Sequence, residues 1–117
     1  MAERTEIIDL GFEVADAACP RLELDGQVLT ASFADWREQP LVVRFDDVIA
    51  VRWQEAEYSI DEHERFDSVH VVHDSAWLAE HVRQAATWAG SGHRHLKLNF
   101  NAAGVLEVLC TAVHVTP

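Results

Sequence analysis

HLKLNFNAAGVLEVLCTAVHV, from His95 to Val115, is the stretch whose reading decides the fold. Leu96, Leu98 and Phe100 alternate with His95, Lys97 and Asn99, the period of two that sends successive side chains to opposite faces of a strand. Asn101-Ala102-Ala103-Gly104 then supplies turn residues, and 105–115 is apolar on both faces. A strand apolar on two faces needs cover on two sides, so the pattern predicts a hairpin whose second strand is central in a sheet. His93, His95, Lys97 and Asn99 would form the solvent face of the first, edge strand.

Upstream of this hairpin, Asp74 or Ser75 offers an N-cap and Gly90-Ser91-Gly92 a stop, which predicts a helix over 75–89. At about 100° per residue, Trp77, Leu78, His81, Val82, Ala85, Trp88 and Ala89 share one face, with Glu80, Arg83 and Thr87 opposite. One amphipathic helix is therefore expected to pack on the sheet. Before it, 55–67 holds Glu55, Glu57, Asp61, Glu62, Glu64 and Asp67 against Arg65 alone, the composition of a solvated loop. Strand character resumes at 68–72.

The first half of the chain also has period two. Leu22 and Leu24, Asp25-Gly26, and Leu29, Ala31 and Phe33 predict a hairpin with those five apolar residues on one face. A second hairpin is expected over 41–53, turning at Asp46-Asp47, central because both of its faces are largely apolar. Among the first twenty residues, Ile7, Ile8, Leu10, Phe12 and Val14 fit a strand from Leu10 onward. The sum is a β-dominated α+β domain: about seven or eight mostly antiparallel strands, as a strongly curved sheet or partial barrel, with one helix packed on it.

The chain has 117 residues, of which 49% are hydrophobic, enough to build the core of a single domain. Twenty acidic residues face nine basic ones, a formal net charge of −11. That sign argues against surfaces that neutralise phosphates, so neither nucleic acid nor anionic membrane is an expected partner. Charged residues within the first ten and the lack of a long apolar run predict a soluble, cytoplasmic protein. Cys19 and Cys110 are too few for a disulfide scaffold. Eight arginines against the single Lys97 point to a bacterial source with a GC-rich genome.

No cofactor is expected from the motifs. His93 and His95, two residues apart on a strand, would lie about 6.6 Å from each other on one face and are the candidates for a zinc site, yet no third ligand is nearby. Cys110 and His114 share a face but stand about 13 Å apart, too far for a nucleophile and its base. The acidic loop lacks the glycine and the alternation of a calcium loop. Candidate binding residues are Asp61, Glu62 and Glu64 in that loop, Trp36 in the polar Asp35–Pro40 connection, and Trp77, His81 and Trp88 on the helix, where His81 is placed to accept an indole N–H. Trp36 either leans on the hairpin base or stands out as a contact residue.

The expectation is a non-enzymatic protein-interaction module, of the inhibitor or immunity type, for a basic partner. Its motivation is the charge, since an acidic field accelerates capture of a cation. The alternatives are a small-ligand-binding β domain with a tryptophan-lined pocket and a metal-dependent enzyme built on His93 and His95. No acid, base and nucleophile stand together in the sequence.

Overall fold

A computed structural model describes residues 3–14, 19–54, 68–84, 90–100 and 104–116. In chain order the elements are β1 (Arg4–Ile7), β2 (Arg21–Asp25), β3 (Val28–Ala34), β4 (Pro40–Asp46), β5 (Ala50–Gln54), β6 (Val69–His73), α1 (Ala76–Arg83), β7 (Arg94–Phe100), β8 (Gly104–Cys110) and β9 (Ala112–Thr116). The nine strands form two antiparallel sheets that do not close into a barrel, one ordered β1-β6-β7-β8-β5 and the other β2-β3-β4-β9. This is the expected β-dominated α+β class with a single helix among the described residues.

The core lies between the sheets. From the five-stranded sheet come Val69, Val71, Leu96, Leu98, Phe100, Leu106, Val108 and Cys110; from the four-stranded sheet, Leu29, Ala31, Phe33, Val43 and Phe45. Phe33 and Phe100 meet edge to face across the interface, ring centres 5.1 Å apart. The alternation in 96–100 and 29–33 thus follows from burial on one shared side, each fully buried Leu, Val or Phe contributing roughly 1.5–3 kcal/mol.

Two chain crossings differ from the sequence expectation. The 41–53 segment is not a hairpin: β4 pairs with β3 and β9, whereas β5 pairs with β8. Asp46-Asp47 carries the chain from one sheet to the other, with Asp47 in the left-handed region at φ 54°. Likewise 105–115 is two strands, because Thr111 steps from β8 in the first sheet to β9 in the second. The crossings are tied together: the Thr111 amide donates to the Asp46 carbonyl (3.1 Å), the Ile49 amide to the Leu109 carbonyl (3.0 Å), and the Thr111 hydroxyl to the Asp47 carboxylate (2.5 Å). Each crossing satisfies the backbone groups that the other leaves without a ladder partner.

The β7–β8 hairpin forms as expected, but β7 is interior, flanked by β6 and β8, so His95 and Asn99 are buried and do not face solvent. The β2–β3 hairpin also forms, turning at Gly26-Gln27 with Leu24 opposite Leu29 and Leu22 opposite Ala31. At the N-terminus the strand is β1, before Leu10; Phe12 and Val14 enter the core from a segment without strand pairing. Ser75 is the N-cap of α1, accepting the Leu78 amide, and the described helix closes at Gln84; 85–89, the rest of the expected helix, lies outside the described residues. Among the described residues no helix is long and apolar enough to cross a membrane.

Candidate functional site

On the side of the five-stranded sheet away from the core, register brings polar residues of distant sequence into line. His70, Lys97, Glu107 and Arg52 occupy one cross-strand row over β6, β7, β8 and β5, and His95 lies in the next row between Val72 and Leu109. Glu107 is 5% exposed, an uncommon place for a carboxylate unless it is paired. Arg52 grips it through two bonds, Nε to Oε2 at 2.8 Å and Nη2 to Oε1 at 3.1 Å, the planar fork suited to a carboxylate. Burial alone would raise the carboxyl's pKa, but the His95 hydrogen bond and the Arg52 charge outweigh it and hold Glu107 at about 2.

His95 continues the chain of contacts. Its Nε2 lies 2.7 Å from Glu107 Oε1 and its Nδ1 2.7 Å from Ser75 Oγ. An ionised carboxylate only accepts, so Nε2 carries the proton and Nδ1 presents its lone pair to the Ser75 hydroxyl, which donates. Ser75 Oγ in turn accepts the Leu78 amide at 3.0 Å. Trp77 covers the assembly, its ring 4.2 Å from the Arg52 guanidinium carbon and edge to face with His95 at 5.1 Å. The helix is therefore anchored to the sheet by a continuous path from Ser75 through His95 and Glu107 to Arg52. That path can relay a proton from the hydroxyl to the imidazole.

A depression of about 740 Å³ opens beside this path, lined by Val72, Leu78, Ala79 and Val82 together with Ser75 and His95. No tryptophan is among its described lining residues. At its rim the Ala76 amide donates to Glu3 Oε2 at 2.7 Å, so the residue just before β1 is tied to the start of α1, and His73 Nε2 donates to Glu6 at 2.8 Å, which joins the end of β6 to β1.

Of the sequence candidates, Trp77 and His81 do meet, ring centres 5.8 Å apart. His81 uses Nδ1 to donate to the Trp77 carbonyl at 2.9 Å instead of accepting an indole N–H, because four residues along a helix place that carbonyl in reach. Trp36 is 55% exposed at the tip between β3 and β4, donates to Glu13 at 2.9 Å and lies under Arg37. Its turn is held by the buried Asp35, which accepts the Arg37 and Gln39 amides and the Arg37 guanidinium. Burial opposes ionisation of Asp35, but those donors keep its pKa below the usual carboxylate range. Asp61, Glu62, Glu64 and Trp88 lie outside the described residues.

His93 and His95 do not converge on a common point. His93 Nε2 donates to the Asp47 carbonyl (2.8 Å) and Nδ1 meets Ser91 Oγ (2.7 Å), whereas both His95 nitrogens are engaged in the relay. Among the described residues no three His, Cys, Asp or Glu side chains are grouped as metal ligands. Cys110 is buried in β8, which raises its thiol pKa to about 12, while His114 belongs to β9 in the other sheet and donates to Asp46.

The chain is similar over its length to a solved structure described as an uncharacterized protein from Neisseria gonorrhoeae, with 7% identity, a TM-score of 0.50, and 100% of this chain and 99% of that one covered. At that identity the likeness supports the fold alone. No family model and no curated protein matches the sequence.

Proposed function

We propose that the protein is a bacterial, cytoplasmic protein-interaction module, of the inhibitor or immunity type, that captures a basic partner. The observation that carries this reading is how the chain uses its cations. Arg21, Arg37, Arg44, Arg52 and Arg83 are paired with Glu23, Asp35, Asp46, Glu107 and Glu80, respectively. With at least these five arginines paired among the described residues, the chain's surplus of eleven negative charges sets the outward field. Such a field steers cationic partners and repels anionic ones. Trp36, held out on a turn fixed by Asp35, is a suitable central anchor for such a contact, since tryptophan is enriched among binding hot spots.

The test begins with affinity capture from the source cell. The captured protein is then purified and its association rate measured by stopped flow as salt is raised, for the native chain and for the Asp61→Asn/Glu62→Gln/Glu64→Gln variant. A basic partner whose on-rate falls roughly tenfold in the variant, or in comparable measure with salt, supports the proposal. An on-rate indifferent to both removes its foundation.

A further inference from the structure

Beyond an interaction role, the geometry points to a chemical one: we propose that Ser75 is an acyl-accepting nucleophile with His95 as its base and Glu107 as the orienting acid, and that the adjoining depression takes the acyl part of a small uncharged carboxylic ester. The three side chains are linked at 2.7 Å and 2.7 Å, within the range that proton transfer from hydroxyl to imidazole requires. The proton inventory has the required sense. Nε2–H is committed to Glu107, so Nδ1 is the free base facing Ser75 Oγ, and the imidazolium formed on proton uptake is stabilised by a carboxylate that Arg52 keeps in place.

The backbone context fits as well. Ser75 sits between a strand and a helix, after a tight turn in which Asp74 takes φ 56°, and the amide that follows it, Ala76 N–H, opens onto the N-terminus of α1. That amide already holds an anionic oxygen, Glu3 Oε2 at 2.7 Å, from an exposed residue of the N-terminal segment. A carboxylate there shows that the position suits a developing oxyanion, and its displacement would open it to substrate. In the depression of about 740 Å³, Val72, Leu78, Ala79 and Val82 form an apolar wall next to Ser75 on which a short acyl chain can rest, while His73, Asp74, His93 and Arg94 also line it.

The chemistry balances within these groups and water. Ser75 Oγ bonds to the ester carbonyl carbon as its proton passes to His95 Nδ1. Collapse of the tetrahedral adduct breaks the bond to the alcohol oxygen, which takes that proton. Water, deprotonated by His95, then attacks the Ser75 ester, and the carboxylic acid leaves as Ser75 regains its proton.

The experiment treats the full chain with a fluorophosphonate, which loses fluoride to a serine so activated, and follows intact mass, peptide mapping and hydrolysis of p-nitrophenyl butyrate. The expected result is one adduct, mapped to Ser75 and absent in Ser75→Ala, with labelling about tenfold faster in Glu3→Ala, where the oxyanion position is vacated. Far-UV and near-UV circular dichroism confirm that each variant is folded. Folded native protein and folded Glu3→Ala that both stay unlabelled, or an adduct on any other residue, would overturn the proposal and leave the relay as an anchor of α1. Because the probe needs no macromolecular partner, the outcome is independent of the interaction role.

Discussion

β8 and β9 are consecutive in the chain, separated by Thr111 alone, yet they live in opposite environments. All seven residues of β8 are buried, whereas in β9 Val113 and Val115 pack toward the core and His114 and Thr116 are exposed. The difference lies in cover. The five-stranded sheet has the core on one side and α1 with its polar path on the other, so even Glu107 is enclosed. Among the described residues no helix covers the outer side of the four-stranded sheet, and β9 keeps the alternation of a half-buried strand. Apolar character on two faces thus marks a strand with two layers of neighbours, and a polar residue inside it marks a paired group.

The largest test of this contrast compares Leu106→Ala in β8 with Val115→Ala in β9. Leu106 is fully buried between layers, and its truncation should cost about 2–5 kcal/mol in a denaturant titration; Val115, partly exposed, should lose no more than about 1 kcal/mol. Equal losses would mean that the two strands are equally covered. Gly104, at the start of β8, extends the test, because a β-carbon there would stand 2.8 Å from the Gln54 carbonyl and against the Trp53 ring. Gly104→Ala should destabilise by about 2–4 kcal/mol, measured in the same way.

How far the pattern was legible follows the same division. The β2–β3 and β7–β8 hairpins are local, so Asp25-Gly26 and the turn-type residues Asn101-Ala102-Ala103-Gly104 announced them, although the first turn falls one residue later, at Gly26-Gln27, with Asp25 paired to Val28. The crossing at Asp46-Asp47 carries the same turn residues as a hairpin, and what separates the two cases is pairing of β4 with β9 and β5 with β8, partners more than fifty residues away. The relay was hidden for a similar reason. Ser75, His95, Glu107 and Arg52 are 20, 12 and 55 residues from their partners, and only the register across β5, β8 and β7 aligns them. The one available signal was Glu107 itself, a lone acid in an apolar run, which calls for a buried cationic partner.

Breaking that pair is the next effect in size. Glu107→Gln keeps the shape but removes the charge facing Arg52 and His95, and should cost about 2–3 kcal/mol, less than a fully buried pair because Arg52 is half-exposed. The same bond sets an acid dependence. Glu107 has a depressed folded-state value, about 2 against 4.5, so its contribution is complete above pH 4.5 and disappears as pH falls from 4.5 to about 2. With each unit worth about 1.4 kcal/mol and a discount for solvent at Arg52, the loss is on the order of 2 kcal/mol. A titration of stability against pH should show the step in the native chain and its absence in Glu107→Gln; the same step in both would assign it to other carboxylates.

The smallest expected effect lies at the other extreme of cover. Leu24 belongs by alternation to the core face of the β2–β3 hairpin and pairs with Leu29, which is 2% exposed, yet Leu24 itself is 60% exposed. β2 is the edge of the four-stranded sheet, and the core layer does not extend under its end, so the alternating pattern continues there without burial. Leu24→Thr introduces a β-branched, strand-compatible side chain and removes little area from contact, so stability should stay within about 0.5 kcal/mol of the native value. A loss above about 1 kcal/mol in denaturant titration would show that something packs on this edge in solution. If that loss appeared only at high protein concentration, the covering partner would be a second copy of the chain.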